Sequence, residues 1–197
     1  ERLGALPLTL AGDPAAPGFP DLAYTPVLAT TYSGDEVSVF DNGATTGRVE
    51  GVRDGTIATL AYPRAAAAEY GAPFAAPTDN LVLTGGEDAT IEEMVAATGA
   101  RGLLLTCLWY IREVDPTTLL LTGLTRDGVY LVEGGEIMGE VNNFRFNESP
   151  LDLLRRVSEA GTTERTLPRE WKDWFTRAAM PPLRGPDFHM TSVSPGR

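Results

Sequence analysis

The chain has 197 residues, 43% of them apolar, with 16 Lys+Arg against 27 Asp+Glu and a formal net charge of -11. That length suffices for one domain with a substantial core, alone or with an appendage. The negative balance argues against nucleic-acid binding unless a basic stripe is built locally, and in the sequence Arg155-Arg156 is the one adjacent basic pair.

Residues 1–26 are rich in Pro and Gly (Gly12-Asp13-Pro14, Pro17-Gly18, Phe19-Pro20) and read as an irregular linker or edge. Val27 to Tyr32 and Val37 to Phe40 read as strands joined by Ser33-Gly34-Asp35-Glu36, and Asp41-Asn42-Gly43 is a turn signal. Arg48 to Val52 and Thr56 to Tyr62 flank Asp54-Gly55, a two-residue hairpin signal. The Ala-rich Arg64 to Tyr70 predicts a short helix broken by Gly71, and Asn80 to Leu83 a short strand. Thr90-Ile91-Glu92-Glu93 has the form of a capping box opening a helix that runs to about Thr98.

Leu103 to Ile111 reads as a strand, followed closely by strands at Leu119 to Leu124, Val129 to Glu133 and Glu136 to Val141. Asp127-Gly128 and Gly134-Gly135 supply the turns, so the expectation is an antiparallel meander, the loops being too short for crossovers. Ser149-Pro150 predicts a helix start, with Leu151, Leu153, Leu154 and Val157 as its apolar positions and Gly161 as its end. Pro168 to Ala179, carrying Trp171, Trp174 and Phe175, reads as a last helix, and the Pro-rich segment 180–197 as an extended tail. The fold class is α+β: antiparallel β-hairpin sheets with two or three packed helices, the main domain spanning 27–179.

Chemistry-bearing residues are few. A catalytic zinc takes three protein ligands from His, carboxylate and Cys, and the chain has one histidine, His189, on a Pro-flanked segment. Cys107, the single cysteine, lies in an apolar strand where a thiol packs as a small hydrophobe. It excludes an internal disulfide and fits a reducing compartment. No Gly-x-Ser-x-Gly elbow and no phosphate-cradling Gly-rich loop occurs. No catalytic, cofactor or metal residue is therefore expected, with a Cys107–His189 pair as the residual enzymatic alternative. The polar residues bordering the meander (Tyr110, Arg112, Thr122, Arg126 and Asn143, with Asn142 and Arg145 beside them) either serve turns and hairpins or form the rim of a groove for an extended peptide. Arg112 or Arg126 would suit a carboxylate there.

No apolar run approaches the roughly 20 residues of a membrane span, and Glu1-Arg2-Leu3-Gly4 opens with mixed charge and no apolar run after it. The expected location is the cytoplasm. The chain opens without Met, and the expectation is a C-terminal piece of a longer protein.

Several segments, in order, resemble the C-terminal domain of the TldD/PmbA family. These are Asp41-Asn42-Gly43-Ala44, the Thr46 to Thr59 hairpin, Asn80-Leu81-Val82-Leu83 with Gly85-Gly86, and Ile91-Glu92-Glu93-Met94. They continue with Gly102-Leu103-Leu104-Leu105, Thr122-Gly123, Arg126-Asp127-Gly128, Glu133-Gly134-Gly135-Glu136-Ile137 and Asn147 to Leu154. The resemblance covers roughly Asp41 to Gly161 and implies a protein linked to peptide maturation by a metalloprotease. Family members have also been described as modulators of DNA gyrase. The family's metal-binding helix carries His-Glu-x-x-x-His, and its metal-binding members have a cysteine near the C-terminus. Neither occurs here, so the chain looks like the PmbA/TldE-like type that lacks the metal ligands. The resemblance thus implies a heterodimer with a TldD-like subunit holding zinc, peptide substrates, and no direct nucleic-acid or membrane partner. A stand-alone peptide- or protein-binding regulatory domain, with Trp171, Trp174 and Phe175 at its interface, is the alternative from another class.

Overall fold

The computed structural model describes residues 1–18, 41, 43–76, 80–167, 170 and 177–194. In chain order the elements are β1 (Thr9–Gly12), β2 (Val49–Arg53), β3 (Thr56–Ile57), α1 (Arg64–Tyr70), β4 (Asn80–Thr84), α2 (Ile91–Ala96), β5 (Arg101–Asp115) and β6 (Leu120–Glu133). They continue with β7 (Glu136–Glu140), β8 (Asn143–Glu148), α3 (Pro150–Arg156), β9 (Glu159–Ala160), β10 (Glu164–Thr166), β11 (Arg177–Met180), β12 (Leu183–Arg184) and β13 (Met190–Ser194). The class is α+β, as the sequence predicts. The elements form two compact units: Glu1–Arg2, Pro7–Gly85 and Thr163–Met180 make the first, and Leu3–Leu6, Gly86–Thr162 and Pro181–Arg197 the second.

The first unit is a six-stranded sheet in the order β10-β11-β4-β1-β2-β3. Its interior strand β1 lies within the segment expected to be irregular. Leu10 faces Val52 of β2 on one side and Leu83 of β4 on the other. Pro7 and Pro14 lie outside this four-residue strand, and Gly12 is its last residue, opposite Val49. The fully buried Asn80 then secures its end, accepting from the Asp13 N–H at 2.9 Å and donating to the Asp13 carbonyl at 2.6 Å. The Asp54-Gly55 hairpin forms as expected, with both residues at positive φ (48° and 73°) in the arrangement that suits a two-residue loop.

Helix α1 has the predicted bounds and stops at Gly71. Its N-cap is Pro63, which has no side-chain acceptor, and the buried Asp41 carboxylate instead accepts from the Arg64 N–H at 3.0 Å. Two expectations change in this unit. β4 and β11 run parallel, so the sheet is not made of hairpins alone. Residues 177–179, expected in a last helix, belong to β11, where the small Ala178 and Ala179 are buried. The rest of that helix, its Trp171, Trp174 and Phe175, and the strands of residues 27–40 lie outside the described residues.

The second unit holds a five-stranded sheet in the order β13-β8-β6-β5, with β7 also on β6. The capping box before α2 is complete: Thr90 Oγ1 accepts from the Glu93 N–H at 3.2 Å and Glu93 accepts from the Thr90 N–H at 2.9 Å. Asp127-Gly128, expected as a turn, lies inside a single continuous β6. The two residues oppose Thr106 alone as a β-bulge, and the Thr106 hydroxyl serves the Asp127 and Gly128 carbonyls at 3.1 and 2.9 Å. A bulge absorbs the turn-type dipeptide without reversing the chain. The meander therefore becomes a long β5–β6 pair, with β7 and β8 end to end along the other side of β6.

Helix α3 opens with Pro150 as predicted, but Ser149 does not cap it: the hydroxyl donates to the Thr118 carbonyl at 3.0 Å. The helix ends before Val157, short of Gly161, because residues 159–160 pair with β12. The segment from Met180, expected as an extended tail, supplies β12 and β13, both paired in sheets. Arg184 of β12 pairs with Glu159 at 2.6 Å and donates to Thr98 Oγ1 and the Met94 carbonyl, placing a cation at the end of α2 where the helix dipole favours one. Gly86 and Gly161 pass backbone to backbone here, and a Cβ on Gly86 would strike the Gly161 carbonyl oxygen.

Candidate functional site

Cross-strand partners share a face of a sheet, and the register of the second unit therefore gathers residues that are far apart in sequence. One row pairs Cys107 with Arg126. The next runs Trp109, Leu124, Arg145 and Ser192 across β5, β6, β8 and β13. A third runs Arg112, Thr122 and Asn147. Between the second and third rows, Tyr110 and Ile111 of β5 oppose Gly123 alone, and this extra residue keeps Trp109 and Arg112 on the same face. Four residues expected at a groove rim (Arg112, Thr122, Arg126 and Arg145) thus lie on one face.

Tyr110 sits at the bulge with φ 55°, a left-handed conformation unusual for an aromatic residue. Its ring lies under the Arg112 guanidinium at 4.4 Å. Thr122 spends its hydroxyl on the Phe146 carbonyl at 3.0 Å. Asn143 is on the same sheet, but its Oδ1 accepts from the fully buried Thr125 hydroxyl at 3.3 Å, which also accepts from the Phe144 N–H. Asn142 lies apart, in the β7–β8 connection beside a shallow polar cleft of about 410 Å³. Arg145 is exposed and Arg126 half-buried, and neither has an ion pair among the described residues. As diagonal neighbours on β6 and β8, they are about 7–8 Å apart at their Cα atoms.

The other face of the same sheet is closed. Gly123 has no side chain because the Phe146 ring occupies that space: a Cβ there would lie 2.5 Å from Phe146 Cζ and 3.0 Å from the Trp109 carbonyl oxygen. Phe188 packs on Phe146 with ring centroids 5.2 Å apart. At the end of β8 the buried Glu148 carboxylate accepts from Arg156 at 2.7 Å, from the Ser149 N–H at 3.2 Å and from the His189 N–H at 3.2 Å. Nothing in the sequence marked this node, because its members lie 8 and 41 positions apart and show no spacing rule.

The Cys107–His189 pairing is overturned by topology. His189 precedes β13, where its carbonyl accepts from the Asn147 N–H, and its side chain is exposed. Cys107 is on β5, at the opposite edge of the sheet. Three strand spacings, about 14 Å, separate them. Among the described residues no three His, Cys, Asp or Glu side chains gather around a metal-sized space.

In the first unit a cleft of about 240 Å³ opens over Ala11, Val82 and Ala179. Its Arg48 is bound at 3.0 Å to Glu50 and 3.3 Å to Asp13, and the Glu50 hydrogen bond in particular raises the guanidinium pKa. Among the described residues no helix is long and apolar enough to cross a membrane.

The family model described as the PmbA/TldA metallopeptidase C-terminal domain matches residues 8–192. The fold is also similar to TldE from Thermococcus kodakarensis, with a TM-score of 0.70 at 17% identity over 98% of this chain and 41% of that one. It is similar as well to a candidate modulator of DNA gyrase from Bacteroides thetaiotaomicron, with a TM-score of 0.69 at 16% identity over 99% and 38%. A Thermotoga maritima protein of the same designation gives 0.67 at 17% identity over 98% and 40%. The chain therefore spans about two fifths of the length of these structures, and at such identities the likeness is one of fold. No curated protein sequence matches.

Proposed function

Because the chain belongs to the PmbA/TldA metallopeptidase C-terminal domain family, we propose that it is the non-catalytic, PmbA/TldE-like member of a cytoplasmic peptide-processing system. Its partner would be a TldD-like subunit that holds zinc, and the pair would form a heterodimer acting on peptides. The carrying observation is the placement of the only histidine: His189 spends its backbone on β8 and Glu148, far from Cys107. Among the described residues no ligand set of the usual His, carboxylate and Cys type gathers around either residue.

This chain's own part is to bind and orient substrate. The sheet face that carries Trp109, Arg112, Thr122, Arg126 and Arg145 offers the polar and aromatic side chains that would line a groove for an extended peptide.

Affinity capture of the full-length protein from its native lysate, with metal analysis of the complex, tests the reading. A stoichiometric partner bearing His-Glu-x-x-x-His together with zinc is the expected result. A lone, metal-free homo-oligomer would overturn it and favour a stand-alone peptide-binding domain.

A further inference from the structure

An acidic chain with no basic run in its sequence nevertheless builds a basic face. Arg126 and Arg145 come from different strands, lie on the solvent-facing rows of the five-stranded sheet and have no ion pair among the described residues. Arg112 shares the face, held over the Tyr110 ring. The register positions between Cys107 and Arg112 and those opposite them include no Asp or Glu on this face.

We propose that this face binds acidic, extended polypeptide segments. The inference rests on the peptide-holding reading above and names the peptide's chemistry. Arg126 and Arg145, about 7–8 Å apart at their Cα atoms, match carboxylates on alternate residues of an extended strand, which repeat at roughly 6.7 Å. Each guanidinium can take a carboxylate in a two-pronged contact, and Leu124 next to both, with Trp109 opposite it on β5, offers apolar surface to the stems. Nucleic acid fits less well: a phosphate chain binds through a longer track of basic side chains than these arginines provide.

The test is fluorescence anisotropy of the full chain with three labelled probes: a peptide alternating Glu and Ala, its Gln isostere, and a single-stranded oligonucleotide of equal charge. The Glu peptide should bind tightest, weaken with salt, and lose about tenfold in affinity in the Arg126→Gln/Arg145→Gln double variant. The exposed Arg145→Gln alone, which leaves packing untouched, should lose about threefold. Equal binding of the Gln peptide, unaffected by either variant, would overturn the acidic preference and leave peptide holding intact. Binding of neither peptide would remove both readings. Tighter binding of the oligonucleotide would overturn the proposal in favour of nucleic acid.

Discussion

The two faces of the five-stranded sheet are made from alternate residues of the same strands and behave oppositely. On one, Gly123, Phe146 and Phe188 interlock and Glu148 is buried against Arg156. On the other, Arg112, Arg126 and Arg145 stand among Trp109, Leu124 and Thr122. The closed face carries stability and tolerates little change in volume. The open face carries charge and is the face proposed for recognition. Because side chains alternate along a strand, neighbours one residue apart, such as Gly123 and Leu124, meet opposite surroundings.

Substitutions can break this contrast. The largest effect is expected from Gly123→Val, which drives a side chain into the Phe146 ring and the Trp109 carbonyl. It should cost about 3 kcal/mol and lower the melting temperature by roughly 10 °C in a thermal scan. Phe146→Leu in the same chain should recover part of the loss. Glu148→Gln comes next: it leaves the part-buried Arg156 without its counter-charge and should cost about 2 kcal/mol, measured by urea unfolding. Arg126→Gln/Arg145→Gln should change stability by less than about 0.5 kcal/mol despite its effect on peptide affinity. A double variant that unfolds would erase the distinction between the faces.

The smallest effect concerns the β5–β6 connection. Asp115 accepts from the Thr118 hydroxyl at 2.8 Å and the Thr117 N–H at 2.9 Å, and the Thr118 hydrogen bond above all holds its carboxyl below the usual carboxylate range. A depressed carboxyl gives its full stabilisation above the unfolded pKa and loses it as pH falls through the folded one. Asp115→Asn should therefore lower the melting temperature slightly at neutral pH and leave it unchanged well below the folded pKa, which flattens the acid side of the profile.

The sequence made legible whatever depends on near neighbours. The Asp54-Gly55 hairpin, α1 over Arg64–Tyr70, the Thr90–Glu93 capping box and the β6–β7 turn at Gly134-Gly135 all follow from local chemistry, and all are present. Where local signals compete with pairing, pairing wins. β1 sits between two strands despite its flanking Pro residues and terminal Gly, and Asp127-Gly128 bulges rather than turns because β5 runs on past it. Ser149 gives its hydroxyl to Thr118 in preference to its own helix. The site divides the same way. Tyr110, Arg112, Thr122, Arg126 and Asn143 could be nominated as polar residues beside strands. Their common face, and the inward turn of Asn143, depend on bulges and register that no single segment encodes.

The central claim, that this chain holds peptide and leaves cleavage to a partner, is tested most directly by peptide hydrolysis. The full-length protein is assayed with zinc, alone and mixed in equal amounts with a family member carrying His-Glu-x-x-x-His. The account predicts no hydrolysis by this chain alone and hydrolysis by the mixture, greater than by the other member alone and abolished by a chelator. Zinc-dependent hydrolysis by this chain alone would contradict it.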